Sequence, residues 1–145
     1  MAKQRNSRQD AIREIVRGKS IRTQRALVNE LQGIGYNCTQ ATVSRDIADM
    51  GLRKLPEGIY VLSEDLHLQR MMSEFVTDVD SAANLVVVKA QPGTAPGVAA
   101  AIDAANLVEV KGSVAGNDTV LVVADAAESA RGLVGMLDKL RGVRK

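Results

Sequence analysis

Four side chains near residue 40 carry the sharpest chemical signal in the sequence. Gln40, Thr42, Ser44 and Arg45 lie in a stretch where Val43, Ile47 and Met50 recur at helical spacing. With that apolar stripe turned inward, Ala41, Arg45 and Ala48 point the other way, flanked by Thr42 and Ser44. An arginine on such a face can make a forked contact with guanine O6 and N7 in a DNA major groove. Gln40, Thr42 and Ser44 can reach bases or phosphates, and the start of the helix favours a phosphate. The alanines let the helix approach closely. Arg53 and Lys54 follow a few residues later and make that segment a candidate wing. Lys3, Arg5 and Arg8 precede the first helix and are read as further backbone contacts.

Charge supports a polyanionic partner. Residues 1–62 hold 11 Lys/Arg against 6 Asp/Glu, whereas residues 63–145 hold 8 against 11. A basic first part joined to an acidic second part puts the nucleic-acid contact in the first. Other chemistries find little material. The single histidine, His67, has no cysteine or second histidine near it, so neither a metal site nor histidine catalysis is expected. Nor does the composition supply a nucleophile–base pair, so an enzyme is not expected. Three aromatic residues are too few for a base-stacking platform for single strands. Gly93 and Gly97 are followed by no Gly-Lys-Ser/Thr and make no phosphate loop. Cys38 is the one cysteine, so no disulfide can form within the chain, which fits a reducing cytosol. The N-terminus lacks the apolar core of a signal peptide, and the apolar runs are too short to span a membrane. A cytoplasmic protein is expected.

The elements that must position these residues follow from caps and periodicity. Ser7-Arg8-Gln9-Asp10 reads as a capping box opening a first helix that carries Ala11, Ile12, Ile15 and Val16 and stops at Gly18. A second helix begins at Thr23, buries Ala26, Leu27, Leu31 and Ile34, and stops at Gly33 and Gly35. The third begins at Thr39 and stops at Gly51. The connection Gly35-Tyr36-Asn37-Cys38 has the length of a helix-turn-helix turn. Leu52–Leu55 and Ile59–Leu62 flank Pro56-Glu57-Gly58 as a β-hairpin. Residues 64–81 are read as a linker with one marginal helix through Leu66, Met71, Met72 and Phe75, leaving by Asp78-Val79-Asp80-Ser81.

Residues 82–145 then read strand, helix, strand, strand, helix. The strands fall on 85–89, 107–114 and 119–124, the first helix on 95–105, and a final helix ends near Arg144 and Lys145. The expected fold class is α+β. A winged helix-turn-helix occupies 1–63 and a small α/β sandwich occupies 82–145. A sandwich of that size is marginal alone, which favours subunit association.

The run Thr39-Gln40-Ala41-Thr42-Val43-Ser44-Arg45-Asp46-Ile47 resembles the recognition-helix signature of the bacterial arginine repressor family. The second part resembles that family's effector domain through Pro92-Gly93-Thr94-Ala95-Pro96-Gly97, Ala101-Ile102-Asp103 and Gly112-Ser113-Val114-Ala115-Gly116-Asn117-Asp118-Thr119. The resemblance implies a repressor of arginine metabolism genes that binds double-stranded operator DNA. It implies an oligomer of trimers pairing into hexamers, with L-arginine as corepressor between them and no other cofactor. It also implies DNA contacts at Ser44 and Arg45, and effector contacts at Asp103, Asn117 and Asp118. A guanidinium takes a carboxylate as a forked, charge-assisted pair, which suits the acids. The family turn reads Gly-Asp-Asp-Thr, so Asn117 puts an amide where a carboxylate is expected. From the residues alone, Asn117-Asp118 also reads as a plain hairpin turn. Two alternatives stay open: a regulator of the same architecture answering to another ligand or none, and a ligand-sensing oligomer whose N-terminal bundle binds protein.

Overall fold

The computed structural model describes residues 2–142, with side chains from Asn6 onward, and the chain divides into two compact units, 1–63 and 64–145. Arg144 and Lys145, expected at the end of the last helix, lie outside the described residues.

The first unit contains helices α1 (Ala2–Gly18), α2 (Gln24–Gly33) and α3 (Gln40–Met50) and a two-stranded hairpin, β1 (Arg53–Lys54) with β2 (Tyr60–Val61). Ile12, Val16, Leu27, Leu31, Val43 and Leu62 form its buried centre. The first helix starts well before the capping box read from the sequence. Nothing in Ala2-Lys3-Gln4-Arg5 breaks a helix, so the chain winds from Ala2. Ser7 is therefore mid-helix, and its hydroxyl pairs with the Tyr36 hydroxyl. Asp10 pairs with Arg13 one turn on, at 3.6 Å.

The turn between α2 and α3 is built as expected. Gly35 takes φ +102°, a conformation that glycine adopts without strain. Its N–H then donates to the Gln32 carbonyl at 3.1 Å, and the Tyr36 N–H donates to Leu31 at 3.0 Å. This pair of bonds satisfies the end of α2 and redirects the chain sharply. Gly51 ends α3 in the same manner at φ +69°.

The second unit contains α4 (Leu66–Phe75), β3 (Val76–Ala82), β4 (Leu85–Ala90), α5 (Ala95–Ala104), β5 (Val110–Ala115), β6 (Thr119–Ala124) and α6 (Ala127–Arg141). Its four strands form one antiparallel sheet in the order β3-β4-β6-β5. Val86, Val88, Val120 and Val122 turn to the helical side, where Val98, Ile102, Leu133 and Leu137 are buried against them.

Residues 64–81 correct the expected linker. They form α4, which packs on α5 and α6, and β3, which extends the sheet. The strand escapes a reading of periodicity because it lies at the sheet edge. Only Val76 and Val79 are buried, while Thr77, Asp78 and Asp80 face water. Charged residues on an edge strand also discourage pairing with other chains.

At the start of α4, Asp65 is 1% exposed, and α6 brings Lys139 within its field. Burial lowers the Lys139 ammonium to about 8, with Asp65 pulling it back up. An unfolded lysine keeps its proton to about 10.4. Between those values the unfolded chain binds the extra proton, so stability rises with pH in that window. Urea denaturation should show the wild type gaining on the order of 2 kcal/mol over Lys139→Met between pH 7.5 and 10.5. A constant difference would contradict this.

Candidate functional site

Helix α3 is held so that its polar face stays open. The Thr39 side chain caps it, accepting from the Thr42 N–H at 3.2 Å. The Thr42 hydroxyl lies 3.1 Å from that of Thr39, so Thr42 serves the cap and is half-buried. Val43 is fully buried, and Ile47 and Met50 pack against the same core. On the far side Gln40, Ala41, Ser44, Arg45 and Ala48 are exposed. Arg45 makes no hydrogen bond or ion pair with any described residue. A guanidinium on a rigid helix beside two alanines is free to enter a groove.

One anchoring residue went unnoticed in the sequence. Asp46 is 1% exposed and takes a forked bond from Arg8 of α1, the second arm being 3.1 Å from Nη2 to Oδ1. Gln9 donates to the same oxygen at 3.1 Å. The Asp46 hydrogen bond raises the Arg8 guanidinium further above its usual range, outweighing the lowering by burial. Arg8 is thus committed to the fold, which corrects its reading as a phosphate contact. Lys3 and Arg5 belong to α1 by backbone, and their side chains lie outside the described residues. The position of Asp46, three residues after Val43 and four before Met50, was the available signal.

The hairpin after α3 has the shape of a wing. Leu55 N–H donates to Ile59 at 2.9 Å and Gly58 N–H to Leu55 at 2.7 Å. Arg22 donates to the Glu57 carbonyl at 2.7 Å and ties the wing tip to the start of α2. Arg53 and Lys54 are both exposed on β1, and the Lys54 ammonium sits 5.3 Å from the centre of the Tyr60 ring.

In the second unit the expected effector residues fall in two places. Asp103 is in the last turn of α5, where Ser113 of β5 donates to its Oδ1 at 3.0 Å. Gly116-Asn117-Asp118 is the β5–β6 turn, against the other end of α5. The Asn117 carbonyl accepts from Gly93 at 3.0 Å and Ala95 at 3.3 Å, and the Asp118 carbonyl from Ala90 at 2.8 Å. The Asp118 carboxylate accepts from the Thr119 hydroxyl at 3.0 Å. Asp103 lies eight positions along the helix from Ala95, a rise of about 12 Å. The fold of a single chain does not bring Asp103 together with Asn117 and Asp118.

Comparison with known proteins then decides the family. The arginine repressor DNA-binding domain matches residues 3–68, and the arginine repressor C-terminal domain matches residues 72–139. An arginine repressor of Pelotomaculum thermopropionicum is 40% identical, covering 93% of this chain and 97% of its own. The chain belongs to the arginine repressor family. Other family members are as near: the arginine repressors of Thermus thermophilus and Symbiobacterium thermophilum are each 43% identical over 95% of this chain, covering 93% and 97% of their own. As in the rest of the arginine repressor family, the first unit is a DNA-binding domain, and the protein is a regulator rather than an enzyme. Among the described residues no helix is long and apolar enough to cross a membrane.

Proposed function

We propose that this chain is an arginine-responsive transcriptional repressor that binds operator DNA of arginine metabolism genes as a cytoplasmic homo-oligomer. The open face of α3, with Arg45 unengaged above a helix fixed by Asp46, is the observation that carries the DNA reading. Gln40 and Ser44 lie beside it, Thr42 holds the helix start, and Arg53 and Lys54 supply phosphate contacts from the wing.

L-arginine is the corepressor in this reading, held by Asp103, Asn117 and Asp118. Because those residues lie at opposite ends of α5, the ligand is shared between copies, each lending one end. The sheet face away from the helices supports association. Val87, Leu121 and Val114 form one cross-strand row there, with Leu121 41% and Val114 70% exposed. Burying such a row favours association, and the trimers pairing into hexamers that the family resemblance implies would place a shared ligand between copies. Ligand binding to the assembled form alone would stabilise it by mass action. Gathered winged units then gain avidity on paired half-sites.

Sedimentation of the full chain with labelled promoter duplex, with and without L-arginine, tests this. A larger protein–DNA species that grows with arginine is expected, and unchanged boundaries would contradict it. The amide at Asn117 favours one other reading, in which the same architecture answers to a less cationic ligand. Calorimetry with ornithine, citrulline and lysine beside arginine separates the two.

A further inference from the structure

The last turn of α5 and the edge strand β5 enclose a cleft of about 300 Å³, lined by Ile102, Asp103, Asn106, Leu107, Lys111 and their neighbours. Its volume is at the small end of ligand sites and suits a metabolite rather than a larger molecule. Ile102 and Leu107 back the cleft but are only 1% and 6% exposed, so its open surface is chiefly polar. The rim carries two opposite charges, Asp103 and Lys111. They do not pair, and Lys111 makes no ion pair or hydrogen bond with any described residue. Ser113 donates to Asp103 Oδ1, which leaves Oδ2 without a partner among the described residues.

Local backbone geometry creates this arrangement. Asn106 takes φ +53° where the chain leaves α5, a conformation that asparagine tolerates better than most residues. The reversal returns the chain along β5, so Lys111 comes to the cleft that holds Asp103. Opposite charges on one polar cleft, separated beyond ion-pair distance, complement a zwitterion. The cation of such a ligand meets the acid, and its carboxylate meets the ammonium.

We infer that Lys111 receives the α-carboxylate of the effector, so that the cleft selects a free amino acid over its decarboxylated analogue. This rests on the proposal that the second unit binds L-arginine through Asp103, and it adds a residue that reading does not use. Lys111 then acts as a specificity determinant, and Ser113 as a positioning residue that fixes the Asp103 carboxylate.

Agmatine separates the two roles, because it keeps both cationic groups of arginine and lacks only the carboxylate. Calorimetry on the full chain should find L-arginine bound roughly tenfold or more tightly than agmatine, the gain of one charge-assisted contact. In Lys111→Met the ratio should fall below about threefold, by weakening of arginine alone. Lys111→Arg should keep the preference. Lys111 is exposed, so the fold is not at stake. Lys111→Gln repeats the test with a polar side chain, and sedimentation of each variant checks its assembly. If Lys111→Met and Lys111→Gln keep the wild-type ratio, the inference is overturned while the arginine reading stands. If the wild type does not bind arginine, both fall.

Discussion

Arg45→Ala is expected to weaken operator binding by about 1–3 kcal/mol for each winged unit engaged and to flatten the preference for guanine at the contacted position. The loss compounds in an oligomer, because several units bind one DNA molecule together. Arg45 is exposed and makes no hydrogen bond or ion pair with another described residue, so the melting temperature should move little. The wing should behave differently. In the proposed reading Lys54 meets phosphate and no base, so Lys54→Ala should lower affinity evenly across sequences and reduce the salt slope by about one. Gel-shift titrations on operator and scrambled duplexes at several salt concentrations separate these outcomes. An Arg45→Ala protein that binds operator as the wild type does would remove α3 from the groove. A flat salt dependence in the wild type would favour a protein partner for the first unit instead.

The second large effect is on stability. Asp46→Ala should destabilise the first unit by about 3 kcal/mol, the usual cost of breaking a buried ion pair from one side. The Arg8 guanidinium, whose side chain is only 16% exposed, would be left with its charge and without its forked partner. Gln9 would lose its acceptor as well. An arginine stays charged at any working pH even without a partner, so the penalty should not fade on mild alkalinisation. Urea denaturation of the full chain should show an earlier transition for the first unit. Operator affinity should fall too, although Asp46 lies on the buried side of α3, since α1 no longer fixes that helix. A variant of unchanged stability would mean that the Arg8–Asp46 pair is a spectator.

The sequence made the DNA-binding unit legible because its signals are local. Thr23 and Thr39 begin their helices as side-chain caps, and Gly35 and Gly51 end them with positive φ. Each of those signals needs only its own neighbours. What stayed hidden depends on distant partners. Asp46 reads as a polar residue on an exposed helix until α1, 38 residues earlier, brings Arg8 against it. Strand β3 reads as a solvated exit from a helix because an edge strand with one buried face needs few apolar residues. The capping box at Ser7 was a true local pattern overridden by a helix that had already begun.

The proposed effector site divides along the same line. Asp103, Asn117 and Asp118 came from resemblance to a family, since in the residues themselves they are a helix acid and a turn. Their separation along α5 depends on how the β5–β6 turn packs beneath Gly93 and Ala95, which no spacing in the sequence reveals. Ser113 and Lys111 escaped notice for the same reason. Their relation to Asp103 exists only once β5 has folded back beside α5.

In the proposed function, arginine level controls occupancy of DNA by the α3 face. Fluorescence anisotropy of a labelled operator duplex, titrated with the full chain at fixed salt with and without L-arginine, measures that coupling directly. The apparent affinity should be at least about fivefold tighter with arginine, the lower end of ordinary allosteric coupling, and Asp103→Ala should lose that gain. Superimposable binding curves with and without arginine would contradict it.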